Sequence, residues 1–287
     1  MLMKYLILPV LLLVACFGCR TSIGNESPPP SLPPASLSPQ TVEPPSQQHL
    51  NPGRVIHVLV ALCDNQYQGI VPVPARIGNG DDPPHNLYWG CEFGVKTHLK
   101  RAQEWKVVSE NQSPKPGVLE RVIFQHRTKP VFLVADAYQG REIKQCTLDL
   151  LRFAAGGGTE TVAIPGGASP IYAGGSSHLL AYVGHDGLMD FQLDAIPQRQ
   201  DQSKREMMIL ACASQRHFSD PLKQTGAQPL LWTTGLMAPE AYVLKAGIDG
   251  WIANESGEAI RSRAAKAYNT YQKCGMKGAM RLFATGW

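Results

Sequence analysis

The feature that most constrains the fold is a series of short apolar runs that are continuous rather than alternating. They cover residues 55–62, 131–135, 178–183, 207–210 and 229–233. Runs of this length are typical of strands that are buried on both faces, as the strands of a parallel sheet are. Between the runs, the helical spacing of apolar residues predicts helices over 93–105, 142–154, 238–246 and 260–273. The alternation predicts one α/β domain over residues 54–287, a three-layer sandwich with a mostly parallel sheet.

The first fifteen residues have the pattern of a signal peptide. Lys4 precedes an apolar run over residues 5–14, which is too short to cross a bilayer as a mature helix. The segment LVAC at residues 13–16 resembles the bacterial lipobox, in which the cysteine after the cleavage site carries lipid. The resemblance implies acylation of Cys16 and anchoring in a bacterial envelope membrane; the lack of Asp after Cys16 favours the outer membrane. An ordinary secretory signal and lipidation at Cys19 are the alternatives.

Between the leader and the first apolar run the chain is rich in Pro, Ser, Gln and Thr. Residues 20–53 show no hydrophobic periodicity. Such a composition buries too little apolar surface to fold, and it favours extended polyproline II. We therefore predict that residues 16–53 are the lipidated cysteine and a disordered tether. The alternative is a Pro-rich recognition segment.

Charge and motifs exclude several classes of partner and cofactor. The formal net charge is +4, and Lys and Arg do not cluster, so no nucleic-acid partner is predicted. The chain has no Walker loop, no G-x-S-x-G elbow and no C-x-x-C in the folded part, so no cofactor is predicted. No metal is predicted either. The weaker alternative is a metal site formed by His185 and Asp186, with Asp190 or His217 as a further ligand.

Polar or reactive side chains follow four of the predicted strands, namely Asp64, Asp136, His185 and Cys212. Ligands of open parallel sheets gather at the carboxyl ends of the strands. If these strands are neighbours, the imidazole and the thiol lie on one rim of the sheet. An imidazole beside a thiol can take its proton and so activate the sulfur as a nucleophile.

Two segments resemble the caspase–legumain–gingipain group of cysteine peptidases: LLAYVGHDG at 179–187 and MMILACAS at 207–214. The resemblance implies a caspase-like fold, with His185 as general acid/base and Cys212 as nucleophile. It also implies oxyanion donors at the amides of Gly187 and Cys212. In that group Gly directly follows His. Here Asp186 intervenes, which displaces the Gly, and Asp186 could instead hydrogen-bond the imidazole.

The resemblance also implies a substrate pocket near the end of the first strand, and we assign the strand-end carboxylates Asp64 and Asp136 to that pocket. The leading hypothesis is a membrane-tethered, cysteine-peptidase-like hydrolase that acts on a peptide or protein substrate. The alternative is a non-catalytic envelope lipoprotein that binds a peptide, a glycan or a partner protein with the same rim. Apart from Cys16 and Cys19, the chain has five cysteines, an odd number that leaves at least one thiol free or paired elsewhere, and Cys63 with Cys91 is a candidate disulfide.

Overall fold

The computed structural model describes residues 51–167 and 169–287. The predictions of a signal peptide over 1–15 and of lipidation at Cys16 lie outside the described residues, as does most of the predicted tether. At the end of that tether, the side-chain amide nitrogen of Asn51 donates to the carbonyl oxygen of Tyr172 at 2.9 Å. Tertiary contacts are therefore already present shortly before residue 54. No helix in the described part of the chain is long and apolar enough to cross a membrane.

Ten strands are present in the described residues, and eight of them form one mixed sheet. In chain order the strands are β1 (Arg54–Ala61), β2 (Trp105–Lys115), β3 (Val118–His126), β4 (Val131–Tyr138), β5 (Glu160–Val162), β6 (Ile171–Ala173), β7 (Leu179–Val183), β8 (Glu206–Leu210), β9 (Gln228–Thr233) and β10 (Phe283–Ala284). The order across the large sheet is β10-β9-β8-β7-β1-β4-β3-β2, and β5 and β6 form a separate ribbon. The five consecutive strands from β9 to β4 are parallel, whereas β10, β3 and β2 run antiparallel to their neighbours.

Helices pack on both faces of the large sheet. They are α1 (Val95–Arg101), α2 (Ile143–Ala154), α3 (Ser214–Thr225), α4 (Ala241–Ile252), α5 (Gly257–Gln272) and α6 (Met276–Leu282). The side chains of α4 and α5 share one apolar core with one face of the sheet, and those of α2 and α3 share a second core with the opposite face. The prediction of an α/β domain with a mostly parallel sheet is confirmed.

The two cores explain why the strand sequences are continuously apolar. Successive side chains of a strand point to opposite faces. In β1, Val58 belongs to the core under α4 and α5, and the next residue, Leu59, belongs to the core under α2. Burial of each large apolar side chain contributes about 1.5–3 kcal/mol relative to exposure. Strands covered on both faces therefore contribute twice as many such side chains per residue as a half-exposed strand.

The structure differs from the prediction where the sequence is polar or amphipathic. The helix predicted over 93–105 ends at Arg101, because Trp105 starts β2. The hairpin of β2 and β3 was not predicted, because β2 lies at the sheet edge and most of its side chains are exposed. Its turn includes Gly117 at a φ of 76°, a left-handed conformation that favours glycine. Helix α3 was also not predicted; its segment is polar and contains Pro221.

Candidate functional site

The predicted imidazole and thiol follow neighbouring parallel strands. Val183 in β7 pairs with Leu210 in β8. His185 and Cys212 each lie two residues beyond that pair, at the same carboxyl edge of the sheet. Adjacent strands are about 4.8 Å apart. The sheet therefore brings these two residues to equivalent positions at adjacent strand ends.

Cys212 lies in a tight turn between β8 and α3. The next residue, Ala213, has a φ of 48°, which is left-handed and uncommon for a residue with a Cβ. Ser214 holds the turn in place: its hydroxyl donates to the carbonyl of Ile209 at 2.7 Å and accepts the amide of Thr233 at 3.0 Å. As a result, the half-buried thiol lies just before the N-terminus of a twelve-residue helix, an end that favours negative charge nearby.

The Cys212 sulfur contacts the backbone of the loop after β9. The amide of Met237 donates to Sγ at 3.4 Å, and the thiol is 3.6 Å from the carbonyl oxygen of the same residue. Within the described residues there is no hydrogen bond between this thiol and the ring of His185. The thiol and the imidazole are thus at adjacent strand ends, and each has another hydrogen-bond partner in the described structure.

The ring of His185 is held by Asp190. His185 Nε2 lies 2.7 Å from the carboxylate oxygen Oδ2, and the amide of Gly69 donates to the same oxygen at 2.8 Å. The carbonyl oxygen of His185 accepts a hydrogen bond from the Tyr182 hydroxyl at 2.6 Å. Only 7% of the His185 side chain is exposed, so the ring has a fixed environment.

Asp186 does not bind the neighbouring imidazole, and the expectation that it could do so is wrong. Its carboxylate Oδ2 is 2.7 Å from Nδ1 of His217 in α3, and its Oδ1 accepts the amide of Leu188 at 3.1 Å. Burial raises the pKa of the Asp186 carboxyl above its ordinary value, partly offset by the hydrogen bond with His217. The Asp186–His217 pair therefore connects the loop after β7 to the helix after Cys212.

In the part of the chain that the structure describes, no acceptor is found for the two amides that the resemblance assigns to the oxyanion. Gly187 begins a short 3-10 helix, Gly187–Met189, and is buried. Among the described residues, neither its N–H nor the N–H of Cys212 donates a backbone hydrogen bond. An oxyanion hole needs amides without another acceptor.

Asp64 lies at the carboxyl edge of the sheet, but the chain folds around it. Its Oδ1 accepts the amides of Gln66 and Tyr67 at 2.9 and 3.2 Å. A Cβ added to Gly80 would lie 2.1 Å from its Oδ2, and one added to Gly140 would lie 2.5 Å from the same atom. The buried carboxylate thus stabilises the turn after β1 and does not face an open pocket.

Asp136 is not at a strand end, and its assignment to a substrate pocket is wrong. Strand β4 continues to Tyr138, and Asp136 is fully buried within it. Arg121 binds both carboxylate oxygens at 2.6 Å, and His57 Nε2 lies 3.0 Å from Oδ2. Burial alone would raise the pKa of the Asp136 carboxyl, but the hydrogen bonds from Arg121 and His57 hold it well below its usual range. Asp136 is the centre of a buried charge network.

The five cysteines in the described residues are free thiols. The candidate disulfide between Cys63 and Cys91 is therefore not formed; the Cys91 thiol instead donates to the carbonyl of His85 at 3.1 Å. Burial raises the pKa of Cys63 to about 11, which makes its thiolate scarce at neutral pH. No group of three or more His, Cys, Asp or Glu side chains in the described part of the chain is arranged to hold a metal ion.

The sequence indicates the positions of His185 and Cys212. It does not indicate that Asp190 binds the imidazole of His185 or that His217 binds Asp186. Asp190 and His217 were considered only as metal ligands. His217 lies on α3, whose polar sequence gives no clear helical signal. Asp190 is recognisable in hindsight as a carboxylate five residues after His185 in the same loop.

Comparison of the chain with known protein families, characterised proteins and solved structures gives no match. The chemistry of the site therefore rests on its own geometry.

Proposed function

We propose that the domain is a cysteine-peptidase-like hydrolase with a caspase-like arrangement of strands, in which His185 and Cys212 act on a peptide or protein substrate. The observation that supports this most is the equivalent position of the two residues after the paired strands β7 and β8. A thiol nucleophile needs a base within hydrogen-bond reach, and adjacent strand ends are positions from which an imidazole and a thiol can approach each other.

In this mechanism His185 takes the proton of the Cys212 thiol, and the resulting thiolate attacks the substrate carbonyl carbon. The amides of Gly187 and Cys212 donate to the oxyanion that forms. The imidazolium then gives its proton to the leaving amine, and water hydrolyses the thioester with His185 as base. Because the thiol now contacts Met237, it must rotate toward the imidazole when substrate binds. Catalytic hydrogen bonds often tighten only in the substrate complex.

Selective alkylation of Cys212 in the full chain tests the dyad. Iodoacetamide is added under native conditions, and peptide mapping by mass spectrometry gives a rate for each cysteine. We expect Cys212 to react faster than the exposed Cys274, and His185→Ala to abolish that advantage. His98→Ala is the matched control, because it also removes an imidazole. That imidazole lies on α1 and contacts Phe93. A Cys212 rate no higher than that of Cys274, or one unchanged by His185→Ala, would refute the dyad.

A second candidate is a non-catalytic binding module that uses the same rim. It is favoured by one observation, the contact of the Cys212 sulfur with Met237 instead of His185. In that case Cys212→Ala leaves ligand binding intact, whereas substitutions in the loop around residues 66–90 impair it. Retention of binding with loss of turnover in Cys212→Ala would favour the hydrolase.

We further propose that the domain is tethered to a bacterial envelope membrane, most consistent with the outer one, through lipid on Cys16. The support is the lipobox-like segment LVAC directly after the apolar leader. Several acyl chains anchor stably, whereas a single chain binds a membrane only marginally. Mass spectrometry of the mature N-terminus tests this: a diacylglyceryl cysteine at residue 16 is expected, and a non-acylated N-terminus would refute it.

A further inference from the structure

The loop that follows β1 contacts the catalytic rim at the residue that holds His185. The amide of Gly69 and the ring nitrogen Nε2 of His185 both bind the same oxygen of Asp190, at 2.8 and 2.7 Å. The neighbouring side chains of this loop are open to solvent, with Tyr67 49% and Val71 87% exposed. A peptide that lies over the rim would contact this part of the loop.

We propose that Asp190 is a positioning residue that couples the docking of the loop around Gly69 to the tautomer and orientation of His185. The inference rests on the proposed function, because it describes how the base of that site is regulated. An ionised carboxylate can only accept hydrogen bonds, so the proton of a neutral His185 is on Nε2. The basic lone pair is then on Nδ1, which has no hydrogen-bond partner in the described structure.

Backbone geometry shows why loop and imidazole are coupled. A Cβ added to Gly69 would lie 2.4 Å from Oδ1 of Asp190, which is too close for any real contact. A side chain at residue 69 therefore requires either the loop or the carboxylate of Asp190 to move from its present position. Displacement of the loop removes one of the two donors that hold Oδ2 and frees the carboxylate, and with it the imidazole, to rotate.

The loop after β7, which carries His185 and Asp190, has a second attachment that does not involve Gly69. Asp186 binds His217 on α3 at 2.7 Å, so the loop after β7 stays attached to the helix after Cys212 when the Gly69 contact is lost. The coupling therefore acts on the ring of His185, through Asp190, and leaves the backbone near Cys212 in place.

Nitrogen-15 spectra of the histidine rings in the full chain test the coupling without any need for catalysis. The His185 signals are assigned by their loss in His185→Gln. We expect one protonated and one unprotonated ring nitrogen in the wild type, with the proton on Nε2. Asp190→Ala and Gly69→Ala should each give averaged tautomers. Asp190→Asn should retain the Nε2–H tautomer, because its amide oxygen can still accept both hydrogen bonds.

Gly278→Ala is the matched control for Gly69→Ala, since a Cβ at Gly278 in α6 would meet no atom within 4 Å. Thermal unfolding checks that each variant is folded. The second readout is the alkylation rate of Cys212, which should fall by about tenfold or more in Asp190→Ala and Gly69→Ala, the order of effect of a charge-assisted hydrogen bond.

The two proposals fail in different ways. If Cys212 is unreactive in the wild type but the tautomer responds to Asp190 and Gly69 as expected, the hydrolase proposal fails and the coupling stands. If the folded Asp190→Ala and Gly69→Ala proteins keep the wild-type ring signals, the coupling is overturned, whatever the reactivity of Cys212.

Discussion

Replacement of Arg121 by Met should destabilise the domain more than any surface substitution. In the wild type, Arg121 binds both oxygens of Asp136 at 2.6 Å, and the carboxylate is fully buried. Two partners would remain in the variant: Nε2 of His57, 3.0 Å from Oδ2 in a ring whose Nδ1 accepts the amide of Gly174, and the ammonium of Lys115, 3.8 Å from the same oxygen. Loss of one partner of a buried pair costs about 3–5 kcal/mol. The free energy of unfolding of a domain is usually about 5–15 kcal/mol, so this cost is a large part of it.

Urea unfolding followed by tryptophan fluorescence measures the effect. The matched control is Arg101→Met, because the ion pair of Arg101 with Glu92 is 62% and 67% exposed; we expect a change within about 0.5 kcal/mol there. Arg121→Met combined with Asp136→Leu should recover part of the loss, since no unpaired charge remains. A cost below about 1 kcal/mol for Arg121→Met, or strict additivity in the double variant, would refute the reasoning.

The same network predicts a pH dependence. The pKa of Asp136 is held below its usual range in the folded state, so its contribution to stability is present above the unfolded value of about 3.9 and is lost as the pH falls further. In Arg121→Met this acid-induced loss should be smaller. Stability curves between pH 5 and pH 2 test it, and identical slopes for both proteins would contradict it.

Three further predictions concern the rim and its thiols. Ala213→Gly should stabilise the fold by up to about 1 kcal/mol in urea unfolding, because it removes a left-handed alanine; destabilisation would contradict the strain. Burial raises the pKa of Asp186, so stability should fall as the pH rises above about 4, and Asp186→Asn should flatten that part of the curve. An unchanged curve would mean that Asp186 titrates alike in both states. Cys63 and Cys91 should both be alkylated after unfolding without reductant; protection of both would show a disulfide.

The parts of the fold that could be predicted from sequence are those with two-sided burial. Strands such as β1 and β7 lie between two helical layers, so nearly all of their residues are apolar and the run is conspicuous. The hairpin of β2 and β3 has an exposed edge strand, and α3 is polar, so neither leaves a strong pattern. Local sequence shows the solvent exposure of a segment more directly than its conformation.

The sequence predicts which strand ends carry His185 and Cys212, but it does not predict the contacts that the site residues make. His185 and Cys212 follow conspicuous strands, and their alignment depends only on strand order. Asp136 looked like a strand-end carboxylate because it directly follows the apolar run at 131–135, although the strand continues to Tyr138. One of its partners, His57, is 79 positions away in the chain. The partner of Asp186 is 31 positions away. Long-range polar contacts of this kind have no local signal, and they decide whether a carboxylate is structural or available to a ligand.

The most direct test of the central claim is covalent capture of Cys212 by a pool of peptidyl acyloxymethyl ketones, which need an attacking thiolate. Intact mass and peptide mapping of the full chain identify the modified residue. We predict a single adduct at Cys212 that is lost in His185→Ala and retained in Cys274→Ala. An adduct distributed among the other cysteines, or one at Cys212 that forms equally well without His185, would contradict the thiol–imidazole site.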